Sequence, residues 1–394
     1  MHRPVRSGLD VLQRQEFTPL RGKRIGLVTH PAAVTADLRP SVSVFANAPN
    51  LNLVTVFGPE HGVLGHAQDL VAVRGAAATP AATRVVSLYG ESLESLQPTT
   101  TQLDGLDALV IDLQDVGARY YTFQATMLLC LKAAAAVRLP VWVLDRPNPL
   151  GGEAIEGPTI LPGFDSFVGI HPVPTRHGLT IGELALMYRH ECRLEVELTV
   201  VPCEGWRRKM HFDETGLPWV MTSPNMPTLE TAFVYPGQCL LEGTNLSEGR
   251  GTTRPFELCG APNIDAEAVA TRLSSLSMLG VSFRPVRFQP MFQKHTSAMC
   301  GGVQLHVTDR RSFSPVRTGL AVLCVLREHA GASFDWRRET YEFVSDRLAI
   351  DLLFGSPRER LAIESGESID QIVSRWTADE SAFRERRMRF LLYD

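Results

Sequence analysis

Glu60 and His61 stand side by side in Gly58-Pro59-Glu60-His61-Gly62, directly after the apolar, β-prone run Leu51 to Phe57. A Gly-Pro turn that ends such a run puts the pair at the carboxyl end of a strand, where α/β proteins hold ligands. A carboxyl group in an apolar setting is favoured in its neutral form and can serve as a general acid. The neighbouring imidazole can orient it. The structural alternative is a glutamate that caps a helix beside a histidine in a polar niche, and a single Glu-His pair does not decide between the two.

Four further stretches carry polar chemistry. Asp112-Leu113-Gln114-Asp115-Val116-Gly117-Ala118-Arg119-Tyr120-Tyr121 follows the apolar run Ala108 to Ile111. Gln114, Asp115, Arg119 and Tyr120 suit a site that holds a polyol by hydrogen bonds and ring stacking; the aspartates could instead cap the next helix. In Asp145-Arg146-Pro147-Asn148-Pro149 two prolines fix the backbone around Asn148. Arg176 and His177 precede a helix that carries Glu183 in its first turn. The last stretch runs from Ser223-Pro224-Asn225-Met226-Pro227 to Glu242-Gly243-Thr244-Asn245-Leu246-Ser247-Glu248-Gly249-Arg250-Gly251. Asn225, Glu242, Asn245, Glu248 and Arg250 among so many glycines are poor core material and good material for a polar pocket.

Several chemistries are excluded. No GxxxxGK[ST] loop and no HExxH spacing occur. The GxSxG nucleophile elbow is missing. The first βα turn, Thr29-His30-Pro31-Ala32-Ala33, lacks GxGxxG, so nothing favours a dinucleotide cofactor. Scattered histidines (His30, His61, His66, His177, His306) could meet at a metal only by tertiary convergence, and no metal is expected.

Positioning these groups requires a sheet. Ile25 to His30, Leu51 to Phe57, Thr83 to Leu88, Asp107 to Asp112 and Pro140 to Asp145 read as strands. Leu38 to Ala46, Ala125 to Val137 and Thr180 to Glu191 read as helices, and Glu195 to Val201 as another strand. Alternation of this kind predicts an α/β, Rossmann-like, doubly wound and mainly parallel sheet, with all strand ends on one rim. Residues 1–235 are expected to form this domain and 236–394 a smaller α+β C-terminal domain, with the cleft between them. In the second, Ala266 to Ser277 and Val316 to His329 read as helices, Val281 to Phe288 and Gly302 to Thr308 as strands, and the charged tail from Ser368 as helical. The Ala-rich run Ala76 to Ala82 reads as a loop.

The 394 residues are 44% hydrophobic and 21% charged, enough for a large core. A formal net charge of −4 gives no field that would draw nucleic acid or an anionic membrane. Seven scattered cysteines without CxxC spacing read as free thiols in a reducing compartment. No apolar core of signal-peptide length follows the basic N-terminus, so the chain reads as cytoplasmic. Oligomeric state is not readable.

Five blocks in order, GPEHG (Gly58 to Gly62), QDVGARYYT (Gln114 to Thr122), DRPNPLGG (Asp145 to Gly152), SPNMPT (Ser223 to Thr228) and LEGTNLSEGRGTTRPFE (Leu241 to Glu257), carry a family resemblance. From about Gly8 to the C-terminus the chain resembles the exo-acting β-N-acetylmuramidases of the NamZ type. The resemblance implies a Rossmann-like domain, a smaller C-terminal domain and release of N-acetylmuramic acid from the non-reducing end of peptidoglycan fragments. It implies neither metal nor organic cofactor, a small carbohydrate as the partner, and Glu60 as catalytic acid. A cytoplasmic member would act on imported muropeptide disaccharides.

Glycoside cleavage ordinarily takes a second carboxyl. Asp115 and Glu248 rank ahead of Glu242 for that role, and the substrate's own acetamido group is a third possibility. Muramic acid differs from glucosamine by a lactyl carboxylate, which a guanidinium fork recognises best. Arg119, Arg176 and Arg250 are the candidates, Arg250 foremost. Two rival readings stand beside this one: a hydrolase or transferase on another amino sugar, and a non-catalytic sugar-binding protein.

Overall fold

The computed structural model describes residues 4–65 and 83–394 of the chain. His66 and the run Ala76 to Ala82 lie outside the described residues. Six parallel strands form the main sheet: β1 (Arg24–Thr29), β2 (Asn52–Gly58), β3 (Arg84–Ser87), β4 (Ala108–Asp112), β5 (Val141–Leu144) and β6 (Leu198–Val201). Their order is β3-β2-β1-β4-β5-β6, the doubly wound arrangement whose direction of winding reverses between β1 and β4. β4 is buried along its whole length, as its continuous apolar run requires of a strand covered on both faces.

Helices α1 (Gly8–Arg14), α2 (Ser41–Ala46), α3 (Thr100–Leu103), α4 (Phe123–Ala136) and α5 (Ile181–Glu191) accompany this sheet. α5 starts where expected because Thr180 caps it: its hydroxyl accepts the Glu183 N–H while the Glu183 carboxylate accepts the Thr180 N–H.

The second lobe holds an antiparallel sheet of β7 (Leu258–Pro262), β8 (Val281–Phe288) and β9 (Cys300–Val307), in the order β7-β9-β8. Around it lie α6 (Leu229–Gln238), α7 (Ala266–Ser275), α8 (Pro315–Ala330), α9 (Ala349–Phe354), α10 (Arg358–Glu364), α11 (Ile369–Ser374) and α12 (Trp376–Arg387). The sequence did not disclose α6, β7, α9 or α10. α6 carries Pro236 in its interior, and a proline normally argues against a helix there.

The expected division at residue 235 falls within α6. This helix crosses α8 at a glycine contact: a Cβ on Gly319 would lie 2.2 Å from the Gly237 carbonyl oxygen, so only two bare backbones fit. One apolar core runs from β4 and α4 through Phe233 and Leu240 to Leu320 and Leu353. The chain end returns to the first lobe, where the Tyr393 hydroxyl donates to Asp145 and the Asp394 carbonyl accepts the Arg208 N–H at 2.9 Å.

Candidate active site

Beyond β2 the backbone doubles back within five residues. Gly58 makes this possible, because a Cβ there would sit 2.6 Å from the Val63 nitrogen. The Gly62 N–H donates to the Pro59 carbonyl at 2.9 Å, and His61 adopts a left-handed conformation (φ 69°) that non-glycine residues rarely take. Residues 61–65 continue as turn and not as a helix that Glu60 would cap. The turn instead turns its side chain under the second lobe, where only 6% of the residue remains exposed. Its Oε2 accepts a hydrogen bond from the Thr122 hydroxyl at 2.7 Å.

Glu60, His61, Tyr120, Tyr121, Thr122 and Ser223 with Asn225 from the first lobe line a narrow cleft with Tyr235, Glu242, Arg250, Phe256, Tyr341 and Glu342 from the α6 end and the second lobe. Aromatic rings make much of its wall: Tyr235 meets Tyr120, Tyr121 and Phe256 edge to face at 5.7, 5.9 and 4.9 Å between centroids. Burial pushes the Tyr121 and Tyr235 hydroxyls far above the usual phenol range, so both stay protonated donors.

Arg250 and Glu242 are the charged pair of the far wall. Arg250 Nη2 donates to Glu242 Oε1 at 2.6 Å, and Tyr341 donates to Glu242 Oε2 at 2.8 Å. Burial acts to raise the Glu242 pKa, but the guanidinium, the Tyr341 hydroxyl and Lys294 outweigh it and hold the carboxyl below its ordinary value. The Arg250 guanidinium also lies 5.0 Å over the Phe256 ring.

Of the fourteen residues singled out in sequence, Glu60, His61, Tyr120, Asn225, Glu242 and Arg250 meet in this cleft. The others are held elsewhere, each for a visible reason. Arg119 turns away from the aspartates near it in sequence: its guanidinium donates to the carbonyls of Pro158, Val173 and Leu353 at 2.5 to 3.0 Å and staples three distant segments. Burial pushes its pKa down to about 10. Arg176 is committed to Glu156 at 2.8 Å and to the Leu150 carbonyl.

Asp115 accepts the Gly117 N–H at 2.7 Å, and His177 Nε2 lies 3.5 Å from the same oxygen, beneath the cleft wall. Gln114 donates to the Asp115 and Pro147 carbonyls. Asn148 accepts the Leu150 N–H and donates to the Leu179 carbonyl, the turn role its prolines suggested. Asn245 ties its loop to Ser333 and Asp335. Glu248, ranked high as second carboxyl, is buried in an ion cluster, 2.8 Å from Lys294 Nζ and 3.3 Å from Arg250 Nε.

The site residues expected from sequence do not include Thr122, Tyr235, Tyr341 or Glu342. Thr122 sits in the QDVGARYYT block and was within reach. Tyr341 and Glu342 lie in a stretch with no motif to mark it. At the crevice between β1 and β4, where such sheets often bind nucleotides, Arg146 pairs with Asp112 at the end of β4 at 2.6 and 3.0 Å and donates to the Val34 carbonyl beyond β1 at 3.0 Å.

A cleft of carboxyls, a guanidinium and aromatic rings, set between the carboxyl edge of a Rossmann-like sheet and a second lobe, defines an α/β enzyme built to grip a sugar. The chain belongs to the exo-beta-N-acetylmuramidase NamZ family: the profile of that family's N-terminal domain matches residues 25–230 and that of its C-terminal domain residues 233–393. The peptidoglycan beta-N-acetylmuramidase NamZ of Bacillus subtilis (strain 168) is 44% identical over 389 residues, which span 99% of this chain and 91% of that protein.

Two crystal structures of DUF1343 family proteins from Bacteroides fragilis NCTC 9343 share the fold. One has a TM-score of 0.89 at 35% identity over 99% of each chain. The other has 0.77 at 27% identity over 100% of this chain and 99% of that one. No helix among the described residues is long and apolar enough to cross a membrane.

Proposed function

We propose that this chain is an exo-β-N-acetylmuramidase: a glycoside hydrolase that frees N-acetylmuramic acid from the non-reducing end of peptidoglycan-derived fragments, with Glu60 as general acid. The observation that carries the reading is the placement of Glu60, buried just past β2, bonded to Thr122 and in one cleft with the Arg250–Glu242 pair. A general acid must be held still, shielded from water and within reach of the leaving oxygen.

Arg250 lines the cleft and is suited to the lactyl carboxylate, and the Tyr120, Tyr121 and Tyr235 rings suit the sugar face. Residues 1–235 and 236–394 act in this reading as two lobes about one site. Seven cysteines, all free, support action in a reducing compartment, the cytoplasm, on imported disaccharides.

The test is incubation with a muramyl-glucosamine disaccharide alongside its glucosaminyl-glucosamine counterpart, with released sugars followed by NMR. Release of N-acetylmuramic acid from the first and little reaction with the second is expected. Equal turnover of both would overturn the muramyl reading, and binding without cleavage would favour a sugar-binding protein.

A further inference from the structure

Glu342 lines the same cleft as Glu60 but comes from the other lobe. Its backbone is improbable. Tyr341 and Val344 exchange both N–H···O bonds at 2.9 Å, which closes a two-residue hairpin with Glu342 and Phe343 at its tip. Both tip residues are left-handed, at φ 45° and 67°. Successive positive φ values in a two-residue hairpin mark a type I′ turn, whose tip is normally Asn-Gly because other side chains are strained there. A glutamate and a phenylalanine in those places oppose local propensity, and strain of this kind gathers at functional sites.

The first lobe clasps the tip. Tyr89, just past β3, donates its hydroxyl to Glu342 Oε2 at 3.1 Å and packs its ring against Phe343 at 5.8 Å. The residue before the tip, Tyr341, donates to Glu242. Glu242 thus serves Arg250 and Tyr341 with both oxygens. Glu342 accepts the Tyr89 phenol at the tip of the hairpin and lines the cleft.

We propose that Glu342 is the second catalytic carboxyl, acting at the anomeric carbon from the face opposite Glu60; this rests on the glycosidase reading above. Glu60 gives its proton to the glycosidic oxygen as the C1–O bond breaks, and that oxygen keeps the bonding electron pair. A water oxygen forms the new bond to C1, and the proton it sheds passes to the Glu342 carboxylate. Glu342 then releases that proton to solvent and Glu60 takes one up, which restores both groups.

The hairpin makes the test sharp, because Glu342→Asn and Glu342→Gly put favoured residues at the strained place. Both variants are expected to melt no lower than wild type. On the muramyl-glucosamine disaccharide their kcat should fall by about 10²-fold or more, the scale of a lost acid or base, with KM little changed. Added azide should restore turnover in Glu342→Gly and give an α-muramyl azide, since the anion then attacks C1 from the vacated face. Wild-type kcat in Glu342→Asn, no azide product, or a β-configured azide would each overturn the assignment. A wild-type protein inert on the disaccharide would instead sink the glycosidase reading itself.

Discussion

Removing Arg250 isolates the electrostatics of the cleft. In Arg250→Met the side chain keeps its bulk against Phe256, but Glu242 loses the guanidinium nitrogen 2.6 Å from its Oε1. Two unit charges about 4 Å apart attract by about 4 kcal/mol at the effective dielectric of a protein near its surface. Breaking a buried pair from one side costs about 3–5 kcal/mol, because the other charge stays behind in a poor solvent. Glu248 is less exposed to this loss, since Lys294 holds its other oxygen at 2.8 Å. The variant is therefore expected to lose about 4 kcal/mol of unfolding free energy at pH 8.

That loss should depend on pH. In the wild type the Glu242 pKa lies below its unfolded value despite burial, so the group stabilises the fold above that unfolded value and ceases to as pH falls through the folded one. Without the guanidinium only the Tyr341 hydroxyl and the more distant Lys294 still oppose burial, and the pKa should rise above the unfolded value. The variant then gains by binding a proton, so the gap to wild type should narrow by about 1–3 kcal/mol between pH 8 and pH 5, at 1.36 kcal/mol per pKa unit. Denaturant unfolding at the two pH values reads this directly. The double variant Arg250→Met/Glu242→Gln should be more stable at pH 8 than Arg250→Met alone. A gap that ignores pH, or a double variant no better than the single, would refute the view that Arg250 neutralises Glu242.

Glu60→Gln keeps the shape of the acid without its proton, and its kcat on the disaccharide should drop about 10²-fold or more with the fold intact by circular dichroism; turnover near wild type would remove Glu60 from the chemistry. Burial, against bonds from Tyr393, Thr180 and Gly182, pushes Asp145 up to about 6 from 3.8. Its folded pKa is raised, so the stability it lends is full below pH 4 and lost as pH climbs through about 6, a change of about 3 kcal/mol. Comparing wild type with Asp145→Asn from pH 4 to pH 7 should show the difference in unfolding free energy move by that amount in the variant's favour. Gly319→Ala should cost about 3 kcal/mol, the upper end for overpacking, because its Cβ meets the Gly237 backbone at 2.2 to 2.3 Å; an unchanged melting temperature would mean the two helices part easily.

The parallel sheet was legible because its strands are short apolar runs closed by Gly, Pro or Asp, and burial on both faces demands such runs. α6 was not, because Pro236 and Gly237 disguise a helix whose support is tertiary: Gly237 meets α8, and the Pro236 carbonyl takes the Tyr120 hydroxyl. The cleft divides along the same line. Glu60 shows itself at a strand end and Arg250 in a glycine-rich loop. Arg119 misled because its partners, the carbonyls of Pro158, Val173 and Leu353, lie 39 to 234 residues away, and bonds to backbone so distant in sequence leave no local trace. Glu342 had no trace at all, since what distinguishes it is a backbone conformation its own residue type disfavours.

The placement of the cleft also bears on how it works. Two lobes about a sugar site suggest closure by a hinge, but hinges need a boundary that few contacts cross. Here α6 straddles the division, packs bare backbone against α8, and belongs to a core continuous from β4 to α9. Arg119 ties the Leu353 carbonyl to the first lobe, and the last residues of the chain bond back to Asp145 and Arg208. Relative rotation of the lobes would break all of these together. Glu60 and Glu342 therefore line a cleft whose shape the fold sets before substrate arrives. Such preorganisation is what positions an acid and a second carboxyl for an oxocarbenium-like transition state. Strain at the Glu342 tip belongs to the same design: a side chain fixed by an unfavourable turn has little freedom left to lose on binding.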